Sequence, residues 1–148
     1  MKRIESRSTT VWDGQLEDGS GTITADSGAF TLPATWGSRT EEPGGKTSPE
    51  ELIAAAHATC YAMNLSATLA AAGSPPERLE VTAVCGLEPK DGGGLIITSS
   101  NLSVRGTVPG LDQAGFEELA RKGEATCPVS NALRGNLEIE LDAQLTGS

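Results

Sequence analysis

Aromatic side chains are scarce in this chain. Its 148 residues include two Trp, two Phe and one Tyr, 3% in all, so any core must rest on Ala, Leu, Ile and Val with close backbone approach. Positive charge is also short: 11 Lys and Arg stand against 20 Asp and Glu, a net charge of −9. That balance argues against nucleic acid or an anionic membrane surface as partner, and favours solubility. No long uninterrupted apolar run exists. The most apolar stretch, Leu52 to Ala72, is broken by His57, Asn64, Ser66 and several Thr, which suits a buried helix and not a membrane span. No apolar segment follows Met1-Lys2-Arg3, so no signal peptide is expected. Cysteines number three, an odd count that argues against a secreted disulfide framework and for a cytoplasmic protein with reactive or buried thiols.

What is present reads as one domain, residues 1–148. Residues 9–16 and 21–32 read as strands joined by a Gly-rich turn, and residues 33–46, rich in Pro and Gly, as a loop carrying Trp36 and Arg39. The strongest element is a helix over 49–72. Ser48 serves as N-cap, Pro49 takes the first helical position and Glu51 completes a capping box, while Gly73 and Pro75-Pro76 end it. A helix so apolar on all sides is expected to be largely buried. Strands over 78–88 and 95–108 follow, joined at Lys90-Asp91-Gly92-Gly93-Gly94. Residues 112–124 make an amphipathic helix with Phe116, Leu119 and Ala120 inward. A short helix covers 128–134. Residues 136–145 alternate as a half-buried edge strand. The order of elements is α+β.

Two thiols stand out. Cys60 lies within the Ala-rich helix and Cys127 lies 67 residues later at the start of the short helix. Two helix-borne thiols far apart in sequence suit a nucleophile and a resolving partner in thiol peroxide chemistry. The plain alternative is that Cys60 is a small buried hydrophobe, since a mid-helix thiol gains little from the helix dipole. It becomes a nucleophile only beside a cation. Its helix contains no Lys or Arg between residues 49 and 72, and Arg39 is the nearest candidate in the preceding segment. Cys127, before Pro128, is either modestly acidified by the helix N-terminus or simply a cap-region residue. Cys85 shares a strand face with Val81 and Ala83 and reads as core.

Glu50 is a first-turn acid by default. On an unbroken helix it lies ~15 Å along the axis from Cys60, at ~1.5 Å per residue. It acts on that thiol only across a break in the helix or from a second subunit. His57 and Cys60 share a helical face, which leaves open a Cys–His nucleophile pair, a zinc site of His57, Cys60 and Cys127, or a hydrogen-bonded structural histidine.

The stretch Thr47-Ser48-Pro49-Glu50-Glu51-Leu52-Ile53-Ala54-Ala55-Ala56-His57-Ala58-Thr59-Cys60, with Cys127-Pro128-Val129-Ser130-Asn131-Ala132-Leu133, resembles the OsmC/Ohr family of organic hydroperoxide reductases. Trp12-Asp13-Gly14, Ser38-Arg39-Thr40-Glu41 and Val108-Pro109-Gly110-Leu111 are similar to its OsmC branch. The resemblance implies an OsmC-like fold, with antiparallel sheets around long central helices in an intertwined homodimer. It implies a peroxidatic Cys60, a resolving Cys127 and an activating pair at Arg39 and Glu50. It also implies an organic hydroperoxide as substrate and a dithiol reductant, either a lipoylated protein or a small dithiol. No cofactor or metal is expected. The reading from another class is a non-enzymatic member of the fold that binds an apolar ligand at the dimer interface.

Overall fold

The computed structural model describes residues 1–146. The chain divides into two compact units, one ending at Leu52 and the other beginning at Ile53.

The first unit holds a three-stranded antiparallel sheet of β1 (Ser8–Asp13), β2 (Ser20–Ala25) and β3 (Thr31–Ala34), in that order. The span 21–32, read from the sequence as one strand, is therefore two strands. Asp26–Ala29 turns the chain, with the Gly28 N–H donating to Ala25 O at 3.0 Å. β2 alternates strictly, burying Gly21, Ile23 and Ala25, whereas all six residues of β1 are exposed. The expected loop over 33–46 contains a short helix, α1 (Trp36–Thr40). Thr35 caps it: its Oγ1 accepts from the Ser38 N–H and the Ser38 Oγ accepts from the Thr35 N–H. This reciprocal cap uses Ser where the usual box has Glu or Gln, which is why the pattern passes as loop sequence.

Helix α2 (Pro49–Ala71) is a single helix that starts in the first unit and continues into the second. Its cap is half of the expected box. The Glu51 N–H donates to Ser48 Oγ at 3.1 Å, while the Glu51 carboxylate accepts from the Thr47 hydroxyl at 2.7 Å. Within the single chain α2 is not buried all round. His57, Tyr61, Leu65 and Leu69, spaced by four, form one fully buried stripe, while Ala55, Ala56, Thr59, Met63, Ala67 and Ala70 are exposed.

The second unit contains a sheet of β4 (Arg78–Pro89), β5 (Leu95–Thr107) and β6 (Leu141–Leu145). β4 and β5 pair antiparallel, and their turn is possible because Gly92, Gly93 and Gly94 all take positive φ. β6 pairs parallel with β5. The expected alternation over 136–145 holds in its burial, but the strand itself begins only at Leu141, because the Glu140 N–H is taken by the Asn101 side chain. The Gln113 amide then binds β6 twice, donating to Ala143 O and accepting from the Leu145 N–H. Gln113 opens helix α3 (Gln113–Ala125), which buries Phe116 and Ala120. A short helix, α4 (Pro128–Leu133), follows. The core joins Tyr61, Leu65 and Leu69 of α2 to Leu102 and Val104 of β5, to Phe116 and Ala120, and to Cys127. Each large apolar side chain buried there contributes about 1.5–3 kcal/mol. Cys85 is half-buried on the inner face of β4, on the side of Val81 and Ala83.

Candidate active site

Chemistry-bearing residues gather at one place in each unit. In the first unit, the buried Ser38 hydroxyl donates to Thr47 O at 2.8 Å, tying α1 to the residues that open α2. This sets Arg39, in the last turn of α1, over Glu50, in the first turn of α2. Arg39 Nη2 donates to Glu50 Oε1 at 2.8 Å, and Nε donates to Oε1 and Oε2 at 3.1 and 3.2 Å. The Glu50 side chain is 8% exposed and that of Arg39 29%. A forked, charge-assisted pair of this kind fixes the guanidinium plane. The Trp36 ring lies 5.9 Å from the Arg39 carbon centre. Beside the pair is a mainly apolar pocket of 290 Å³, lined by Trp12, Leu16, Ile23, Trp36 and Leu52 among others.

In the second unit, α2 supplies Cys60 and the N-terminal end of α4 supplies Cys127. The two reduced thiols are neighbours, with Cys60 packed against the core cluster that contains Cys127, and the Val129 backbone N–H is among the groups that act on the Cys60 sulfur. Cys60 is half-buried and Cys127 fully buried. Burial pushes the Cys60 thiol above the ordinary thiol range. The Val129 N–H opposes this, and the neighbouring Cys127 adds to it.

His57 is fully buried. Its Nδ1 lies 2.6 Å from Ser100 Oγ of β5 and its Nε2 2.7 Å from Ser130 Oγ of α4. Burial holds its pKa below the ordinary histidine value. Glu124 opposes that shift and Arg134 adds to it, so the ring is neutral at pH 7. With both ring nitrogens bonded to serine hydroxyls, neither the Cys–His pair nor the zinc grouping of His57, Cys60 and Cys127 is formed. Among the described residues no group of three or more His, Cys, Asp and Glu is placed to hold a metal ion.

A family model described as OsmC-like protein matches residues 42–142, a span that contains Glu50, His57 and both cysteine motifs. The chain belongs to the OsmC family. Among curated relatives, it is 39% identical to the peroxiredoxin OsmC of Escherichia coli over 96% of this chain and 97% of that one. It is 33% identical to an organic hydroperoxide resistance protein of Xanthomonas axonopodis over 66% and 67% of the two chains. The crystal structure of OhrB from Bacillus subtilis, an organic hydroperoxide resistance protein, shares the fold. Its TM-score is 0.71 at 24% identity, covering 95% of this chain and 98% of that one. The mixed α+β arrangement of two small sheets and a long helix is thus that of OsmC and Ohr structures.

Within this OsmC-family chain, sequence reasoning named Arg39, Glu50, Cys60 and Cys127. The structure brings Arg39 to Glu50 and Cys60 to Cys127. Four further polar residues were not anticipated. Ser100 and Ser130 hold His57. Glu124, near the end of α3, accepts from Arg134 Nη2 at 2.9 and 3.0 Å, bracing the segment that carries Cys127. Ser130 had a faint signal, one helical turn after Cys127. Ser100 had only strand alternation, which sets it on the buried face with Leu102 and Val104 but names no partner.

Proposed function

We propose that the chain is a thiol-dependent peroxidase that reduces organic hydroperoxides to alcohols. The observation that carries this reading is that Cys60 and Cys127, presented by separate helices, lie side by side in the packed core. The Cys60 thiolate attacks the peroxide, the O–O bond breaks, and the alkoxide leaves as the alcohol after taking up a proton. Cys60 becomes a sulfenic acid. Cys127 condenses with it: the S–S bond forms, the Cys60 S–O bond breaks, and hydroxide leaves with the Cys127 proton as water. An external dithiol, from a lipoylated protein or a small molecule, reopens the disulfide by exchange.

Arg39 and Glu50 serve as the activating pair. In α2 Glu50 stands ten residues before Cys60 without a break, about 15 Å along the axis. The pair therefore acts on the Cys60 of a second subunit, in a homodimer. The names carried by OsmC and Ohr relatives support a peroxidase role, and the apolar pocket beside Arg39 supports an alkyl substituent on the substrate. The net charge of −9 supports an enzyme that binds neither nucleic acid nor an anionic membrane surface, and a cytoplasmic location is part of the same proposal.

Intact mass after one equivalent of cumene hydroperoxide tests the reading. The wild type is expected to lose the mass of two hydrogens, with Cys60 linked to Cys127 in the digest, and Cys60→Ser to stay unchanged. Hydrogen peroxide is expected to react more slowly. An unmodified wild type would sink the peroxidase reading.

A further inference from the structure

Helix α4 has only six residues, and its N-cap, Cys127, makes no side-chain capping bond. A helix this short does not hold its own conformation in water. Its N-cap Cys127 is buried in the core and Val129 packs against that core, but within the helix itself buried anchoring is sparse. Ser130 is its one buried residue, while Pro128, Asn131 and Ala132 are exposed. A buried hydroxyl contributes little by burial alone and costs stability if left without a partner. Ser130 has a partner: the Nε2 of His57, which is itself held at Nδ1 by Ser100 of β5. One imidazole thus bridges the sheet, α2 and α4. It lies three residues before Cys60 on α2, and its serine lies three residues after Cys127.

We infer that His57 is a positioning residue for disulfide formation: through Ser130 it holds α4 so that Cys127 stays against the Cys60 sulfur. The inference rests on the two-cysteine cycle proposed above. It assigns His57 no proton transfer, since both ring nitrogens are occupied by serines. The condensation it supports is the balanced one already given, sulfenic acid plus thiol yielding disulfide plus water. The Glu124–Arg134 pair braces the far end of α4, but Arg134 is half-exposed and its contribution is correspondingly smaller. The first step, attack of Cys60 on peroxide, needs no contact with α4 beyond the Val129 N–H. The second step needs the two sulfurs aligned. A misplacement of about 1 Å in such a reaction costs on the order of 10²-fold.

Single-turnover kinetics separate the two steps. Sulfenic acid formation is followed by dimedone trapping at Cys60, and disulfide formation by mass of the Cys60–Cys127 peptide. Ser130→Ala and His57→Leu are expected to slow disulfide formation at least about tenfold more than sulfenic acid formation. Both are also expected to accumulate sulfinic Cys60 under excess peroxide. His57→Gln and Ser130→Thr, which keep a hydrogen-bonding group, are expected to recover much of the second step. Equal slowing of both steps, or no rescue by the conservative variants, overturns the positioning role. So does an unchanged second step in Ser130→Ala and His57→Leu when the wild type forms the disulfide. A wild type that forms no disulfide at all overturns the two-cysteine cycle instead. Ser130→Ala removes a single oxygen, so it keeps the test available if His57→Leu fails to fold.

Discussion

Cys60 is subject to opposing influences that fix how reactive it is. Within one chain, burial and the adjacent Cys127 raise the pH at which its thiolate forms, and only the Val129 N–H lowers it. Such a thiol is mostly protonated at neutral pH and a poor nucleophile. In the proposed homodimer a guanidinium beside Cys60 would reverse the balance, because a nearby cation favours the charged form. The sign follows directly: removing the cation moves the ionisation to higher pH and lowers the thiolate share at pH 7. Site-resolved alkylation of Cys60 against pH is therefore expected to show a midpoint about 1–3 units higher in Arg39→Ala than in wild type, with Arg39→Lys between them. Coincident midpoints would remove Arg39 from the proposed chemistry. The sequence pointed to Arg39, Glu50, Cys60 and Cys127 as candidates through two compact motifs and one loop. It did not reveal that Arg39 sits on a helix. The cap of α1 pairs Thr35 with Ser38, and the usual reading of a capping box looks for a carboxylate or amide at that place.

Among the elements, α2 was the most legible because its start signals and stop signals are local: Ser48, Pro49 and Gly73 act through their own backbone. β6 was the least legible. Its alternation of Leu137, Ile139 and Leu141 was visible, but its late start depends on the Asn101 side chain taking the Glu140 N–H, a contact 39 residues away. The seating of α3 on β5 was likewise hidden. A Cβ built at Gly106 would lie 2.6 and 2.8 Å from the Phe116 ring, and that ring is fully buried and has nowhere to retreat. Gly106 is thus a contact requirement of α3, the helix whose end leads into Cys127. Gly106→Ala is expected to destabilise the protein by about 1–3 kcal/mol, the range for overpacking a tight site. Chemical denaturation measures it. The double variant with Phe116→Leu should recover part of the loss, and full stability in Gly106→Ala alone would mean the ring has room to move.

At the level of the whole molecule, the single chain leaves apolar surface uncovered in a pattern. The face of α2 opposite its buried stripe exposes Ala55, Ala56, Ala67 and Ala70, with Met63 at 70% exposure. The sequence led to the expectation of a largely buried helix, and one chain fully buries a single stripe of it. Composition reports how apolar a helix is, not which molecule covers it. In the proposed homodimer, a second copy over this face would supply the cover and bring Arg39 and Glu50 to the partner's thiol. A two-fold interface presents each residue twice, so one substitution acts at two places. Burying a Met side chain contributes about 1.5–3 kcal/mol, and placing a carboxylate there forfeits this and adds the cost of desolvating a charge. Met63→Glu is therefore expected to weaken the dimer by at least about 3 kcal/mol, on the order of 10²-fold in Kd. Sedimentation velocity over a dilution series reads this directly. Because Met63 is exposed in the single chain, the substitution leaves the fold of each subunit unburdened, and circular dichroism should stay unchanged. Peroxide turnover is expected to fall in step with the dimer fraction. A Met63→Glu protein that is monomeric and fully active would place the whole catalytic apparatus within one chain, and the two-subunit site would have to be abandoned.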